Sequence, residues 1–227
     1  DLLGVGIDFG AARGILLAVD NTFATPYIQK PLDLGADIVH HSMSKYLSGH
    51  CDVIGGALIT RDKALAEKLF FNQYAVGGIL DPFQSFLVLR GIKTLHVRME
   101  RHSFNAQKIA EFLKTQKRVS KIYFPGIDGK PLPNGMKLPG GMVSFELDAD
   151  FATVKKFVMA TKQFILAESL GGVESLINHP ATMTHASIPK EIREKHGIRD
   201  QLIRLSVGIE HIDDLLSDLR TAFAAIG

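Results

Sequence analysis

Residues 14–42 read "GILLAVDNTFATPYIQKPLDLGADIVHHS" and constrain the fold more than any other part of the chain. An apolar run ends at Asp20 and Asn21, and a second (36–40) ends at His41 and Ser42. Short apolar runs without polar alternation, stopping at polar residues, are what strands of a buried parallel sheet look like. Between them Pro26 closes a turn, and a short helix candidate at 31–34 stops at Gly35. "VIGGALIT" (53–60) predicts a third strand, with glycines where another backbone approaches closely. "DKALAEKLFFNQ" predicts a helix with Asp62 as its cap. Strands alternating with short helices predict an α/β fold built on a parallel sheet.

Beyond residue 80 the pattern changes. Asp81-Pro82 is a strong helix start, and the apolar spacing from Phe83 to Phe112 predicts helix as far as about Gln116. Short strands follow at 121–124, 140–147, 164–169 and 202–209, with helices at 151–161 and 211–225. That succession predicts a separate α+β domain with a mostly antiparallel sheet. The Pro/Gly-rich segment 125–141 reads as a surface loop.

The 227 residues, 46% hydrophobic and 22% charged, suffice for one large domain or two small ones with a buried core. A net charge of +2 gives no reason to expect a nucleic-acid or membrane partner, and the longest apolar runs fall far short of a membrane span. The single cysteine excludes an internal disulfide framework and fits a reducing, cytoplasmic setting. The opening "DLLGVGIDFG" has neither the basic start of a signal peptide nor an initiator Met, as expected of a processed or truncated chain.

The stretch "HHSMSKYLSGHCD" (40–52) concentrates reactive side chains. As a metal site it is poor: adjacent His40 and His41 point to opposite faces of a strand, and His50-Cys51 lacks paired zinc-site spacing. No metal is expected. The glycine string "GVGIDFG" (4–10) is a weak dinucleotide signal, because only "DLL" precedes it where a strand is needed. Lys45 is more promising. It follows Ser42-Met43-Ser44 just beyond a buried strand, and Asp20 ends the neighbouring strand. A lysine and a carboxylate at adjacent strand ends, with hydroxyls for a phosphate, are what pyridoxal phosphate (PLP) requires. A solvated lysine beside capping serines accounts for the same spacing, which does not by itself decide between them.

Seven collinear segments carry a resemblance: "AVDNTFATPYIQKPLDLGADIV", "HSMSKYLSGHCDVIGG", "SFLVLRGIKTLHVRMERH", "GGMVSFEL", "LAESLGGVESL", "HPATMTHASI" and "IRLSVGIE". From about residue 14 onward the chain resembles the Cys/Met-metabolism PLP enzymes, which include the cystathionine γ-synthases and lyases. The resemblance implies a PLP-dependent transferase fold of type I, aspartate-aminotransferase-like. Residues 1–90 would be the C-terminal portion of its PLP-binding α/β domain. Residues 91–227 would be a long connecting helix and the C-terminal α+β domain.

It further implies roles. Lys45 matches the Schiff-base lysine, Asp20 the partner of the pyridine nitrogen, and Ser42 and Ser44 the phosphate-binding hydroxyls. Arg204 matches the arginine that grips the substrate α-carboxylate, and Ser169 a serine beside lysine and substrate. Glu168 stands where cystathionine-handling members often carry a glutamate that reads the distal amino group. The implied activity makes or cleaves the Cγ–S bond of cystathionine, with cystathionine, acylated homoserine or cysteine as substrates and a homotetramer as the assembly. Alternatives are methionine γ-lyase, cystathionine β-lyase and O-acylhomoserine sulfhydrylase. From other classes, an inactive fragment and, on the glycine string alone, a nicotinamide-dependent oxidoreductase remain. The chain also departs from the family. It lacks the preceding segment, which in the family normally supplies the tyrosine stacked on the cofactor, further phosphate contacts including groups from a neighbouring subunit, and half of the PLP-domain sheet. The loop before "GGMVSFEL" is short, His40 replaces a usual apolar residue, and Asp81 and Gln84 differ from the common pattern.

Overall fold

A computed structural model describes residues 12–227; the glycine string at 4–10 lies outside the described residues. The chain divides into two compact units. One runs to Met99 and includes Pro131–Pro139; the other comprises Glu100–Lys130 and Gly140–Gly227.

In the first unit, β1 (Ala18–Asp20) leads through the single-turn helix α1 (Thr25–Ile28) and a 3-10 turn at Pro31–Leu34 into β2 (Ile38–Ser42). Gly35 ends that 3-10 turn at φ 103°, a conformation glycine adopts without cost. Next come a π-type turn (Met43–Leu47), β3 (Gly56–Ile59) and the helix α2 (Lys63–Val76), whose N-cap Asp62 accepts from Leu65 N. The sheet order is β1-β2-β3: β1 pairs parallel with β2, but β3 pairs antiparallel with it. The expectation of an all-parallel arrangement is corrected here. No crossover helix separates β2 from β3, so the chain turns back beside the strand it has just left. The first strand is also shorter than its apolar run, with Ile15 and Leu16 exposed.

The predicted long helix is two helices, α3 (Pro82–Ile92) and α4 (Leu95–Lys114), and residues of α4 fall in both units. Gly91, in the last turn of α3, allows a close approach. A Cβ there would overlap the Ser48 carbonyl, so α3 comes against the loop after Lys45 at the one residue without a side chain.

The second unit carries a five-stranded sheet ordered β4-β5-β8-β7-β6: β4 (Val119–Tyr123), β5 (Met142–Leu147), β6 (Ile165–Leu166), β7 (Leu176–Asn178) and β8 (Leu202–Ser206). Only the β6–β7 pair is parallel. The helices α5 (Phe151–Ala160) and α7 (Ile212–Ile226) supply Phe157, Leu215 and Leu219 to a core shared with Phe145, Ile203 and Leu205 of the sheet. A short helix, α6 (Lys190–Lys195), lies between β7 and β8. Among the described residues, no helix is long and apolar enough to cross a membrane.

Candidate active site

The candidate residues of the first unit gather where the parallel pair β1–β2 ends. Asp20 is the last residue of β1 and stands in register with His40. One carboxylate oxygen, Oδ1, accepts from Thr22 N at 2.9 Å; the other, Oδ2, lies 3.1 Å from His40 Nδ1. Burial alone would raise the Asp20 pKa, but the hydrogen bonds from the Thr22 side chain and backbone, with His40, outweigh it and hold the carboxyl below its ordinary value. Asp20 is therefore an ionised carboxylate at neutral pH. Thr22 links it to the next candidate, because its Oγ1 accepts from Ser42 N at 2.8 Å.

Ser42 closes β2 opposite Gly56, and Met43 N donates to Gly55 O at 2.8 Å. Ser44 Oγ accepts from Gly55 N at 3.0 Å, so its hydroxyl is fixed against the start of β3. Lys45 is half-buried in the turn and departs from helical backbone, with φ −107° and ψ −137°. Its carbonyl accepts from Gly49 N at 2.8 Å. Asp20, Ser42, Ser44 and Lys45 thus belong to one strand-end cluster.

Sequence reasoning missed the residue that holds this turn. Buried Arg98 donates from Nη1 to Tyr46 O at 2.7 Å, from Nη2 to Gly91 O at 2.9 Å and Leu47 O at 3.4 Å, and from Nε to Thr94 Oγ1 at 3.1 Å. The sequence carries little signal for it, because the same helix also buries the polar residues His102, Ser103 and Asn105. Asp81 and Gln84, the departures noted before α3, form a local cap. Asp81 accepts from Phe83 N and Gln84 N, while Gln84 Oε1 accepts from Ile54 N at 3.2 Å.

His41 points to the opposite sheet face from His40, as period-2 alternation requires. It lines an apolar hollow of about 370 Å³ with Val39, Met43, Leu47, Ala57 and Ile59. Burial pushes its pKa down; Asp20 raises it and His40 lowers it further. Among the described residues, no group of three or more His, Cys, Asp or Glu is placed to hold a metal ion.

Arg204, Ser169 and Glu168 lie in the second unit. Arg204 sits on β8 in register with Ser144 of β5 and Asn178 of β7, and its Nη2 donates to Ser169 O at 3.2 Å. Ser169 holds φ at 87°, a left-handed backbone unusual for a side-chain-bearing residue. Glu168 beside it is exposed. Within the second unit the structure therefore joins Arg204 to the Ser169 backbone.

An ionised carboxylate, a half-buried amine and two hydroxyls at the end of a parallel strand pair can bind a cationic ring and a phosphate; a strand arginine can bind a carboxylate. The chain is also similar along nearly its whole length to known proteins. The cystathionine β-lyase of Lactococcus lactis subsp. cremoris (strain MG1363) is 59% identical over 215 residues, covering 93% of this chain and 56% of that protein. The cystathionine γ-lyase of Bacillus subtilis (strain 168) is 51% identical over 223 residues, covering 96% of this chain and 59% of that one. Among solved structures, cystathionine γ-lyase from Lactobacillus plantarum, complexed with L-serine, superimposes with a TM-score of 0.94 at 50% identity, over 99% of this chain and 60% of its own. Cystathionine γ-synthase from Xanthomonas oryzae pv. oryzae, in complex with cystathionine, gives a TM-score of 0.94 at 47% identity, over 99% and 59%. The chain spans little more than half the length of these curated relatives. The fold is that of the PLP-dependent cystathionine enzymes, and the family pattern matches residues 6–224. The chain belongs to the Cys/Met metabolism PLP-dependent enzyme family.

Proposed function

We propose that the protein is a PLP-dependent trans-sulfuration enzyme that makes or cleaves the Cγ–S bond of cystathionine. The observation that carries the reading is the Asp20 carboxylate, kept ionised and bonded through both oxygens at the end of β1. That is the partner a protonated pyridine nitrogen needs, so the residues present fit PLP. Bound there, PLP supplies an electron sink for a carbanion at the substrate Cα.

The chain's own groups do the rest. With PLP bound, Lys45 Nζ would be the group that holds it and would move protons at the substrate Cα and Cβ. Asp20 keeps the ring-nitrogen proton in place. Ser42 and Ser44 hold the phosphate, and Arg204 binds the α-carboxylate through its planar fork. Ser169 adjoins the reacting centre, and Glu168 reads the distal ammonium of cystathionine. We assign residues 1–90 to the PLP-binding domain and 91–227 to the connecting helix and C-terminal domain. The assembly is a homo-oligomer, a tetramer by analogy with the family, working in the cytoplasm on cystathionine, acylated homoserine or cysteine.

A β-cleavage variant of this reading is favoured by the 59% identity to a cystathionine β-lyase. Product analysis of the full-length protein with cystathionine separates them: γ-cleavage yields 2-oxobutanoate and β-cleavage yields pyruvate. Acylated homoserine plus cysteine tests the synthetic direction. A visible absorption band, abolished by borohydride and absent from Lys45→Ala, is expected. A protein that gains no band with PLP, or that turns over none of these substrates, overturns the proposal.

A further inference from the structure

We propose that His40 is a positioning residue for the Asp20 carboxylate, donating Nδ1–H to Oδ2 and fixing the direction in which the acid meets a ring nitrogen. The inference rests on the cofactor reading above, since the ring nitrogen is that of PLP. His40 occupies the central strand of a three-stranded sheet, in register with Asp20 on β1. Its Nδ1 lies 3.1 Å from Oδ2, while Thr22 N binds Oδ1 at 2.9 Å. With one partner on each oxygen, the carboxylate cannot rotate about its Cβ–Cγ bond without losing a hydrogen bond. Each oxygen keeps a second lone pair for a ligand, and the side chain is 63% exposed, so the bound acid remains accessible.

The other end of the imidazole faces a residue without a side chain. A Cβ on Gly56 of β3 would lie 3.5 Å from His40 Nε2, at ordinary contact distance, so the ring reaches from Asp20 on one neighbouring strand towards Gly56 on the other. A leucine at residue 40 would fill similar space and donate nothing. The titratable group following His40, His41, points to the opposite face and does not compete for the same acid.

The geometry predicts which nitrogen carries the proton. Donation to Oδ2 requires the Nδ1–H tautomer when the ring is neutral. The ¹⁵N spectrum of histidine-labelled full-length protein, taken at about pH 8.5, two units above the ordinary imidazole value of about 6.5, reads this directly. His40 is assigned by its disappearance in His40→Leu. The second readout is PLP affinity, by titration of the resolved apoprotein. His40→Asn places an N–H as many bonds from Cβ as Nδ1 and should stay within about twofold of the wild type. His40→Leu, which has no donor, and His40→Gln, whose donor sits one bond further out, should bind about three- to tenfold more weakly, a modest loss because the pair is partly exposed. An Nε2–H tautomer, or His40→Leu binding as tightly as the wild type, overturns the proposal. Wild-type protein that binds no PLP overturns the cofactor reading and this proposal with it.

Discussion

Arg98 Nη1 donates to the Tyr46 carbonyl at 2.7 Å, one residue beyond Lys45, and the same guanidinium reaches Leu47, Gly91 and Thr94. A buried arginine balanced by carbonyl oxygens and a hydroxyl, with no carboxylate among these partners, acts as a bracket between the lysine turn and the end of α3. Removing it leaves buried carbonyls without donors. Arg98→Leu is expected to cost about 3 kcal/mol and Arg98→Lys less, since an ammonium still satisfies some of the four acceptors. Gly49→Ala should cost a similar amount, because its Cβ would overlap Nη1 and its φ is 75°. Urea unfolding of each variant checks this, and wild-type stability in Arg98→Leu would refute the bracket.

His41 gives the fold a pH dependence of definite sign. Burial lowers its pKa from the unfolded value of 6.5. The stability it contributes is therefore complete above about pH 6.5 and lost as pH falls towards its folded value, because the unfolded chain takes up the proton first. The lowered value at Asp20 acts separately, below its ordinary 3.8. Urea midpoints between about pH 8 and pH 5 should fall for the wild type and stay flatter for His41→Leu. Parallel curves would show that His41 is not the titrating group.

How much of this was legible in the sequence follows from what each residue depends on. Asp20, Ser42 and Lys45 could be placed because they follow apolar runs, and strand ends are set by local patterning. The antiparallel return of β3 could not, since a run such as "VIGGALIT" does not record which way its neighbour points. The break between α3 and α4 was hidden because the apolar spacing runs on across residues 93–94 without a proline or glycine to mark it. His40 looked like an oddity until pairing register set it beside Asp20. The strand β7 went unread because three residues carry too little periodicity to detect.

Asp218 holds a loop that no motif announces. From α7 its buried carboxylate accepts from Lys162 N at 2.8 Å, Gln163 N at 2.9 Å and Phe164 N at 3.0 Å, just before β6. Asp218→Ala strands three donors in a buried site and should cost about 2–4 kcal/mol. Asp218→Asn keeps one oxygen acceptor and should cost less. Denaturant titration with a probe in the second unit ranks the two, and equal losses would mean that packing rather than hydrogen bonding dominates.

At Ser169 a stability effect and the proposed substrate-side role can be separated. Its φ of 87° places a side-chain-bearing residue in glycine's region, at a cost of about 1–3 kcal/mol. Its carbonyl also accepts from Arg204 at 3.2 Å, so backbone strain and the candidate carboxylate-binding side chain meet at one residue. Ser169→Gly relieves the strain but enlarges the unfolded ensemble, leaving a net gain of about 1 kcal/mol. If the hydroxyl serves the reaction, kcat/KM should drop in the same variant by about tenfold or more. Ser169→Ala makes the separation clean: it keeps a Cβ, and with it the strain, while losing the hydroxyl. Activity should fall in both variants and stability should rise only in Ser169→Gly. A stabilised and fully active Ser169→Gly would show that neither the strain nor the hydroxyl serves the reaction.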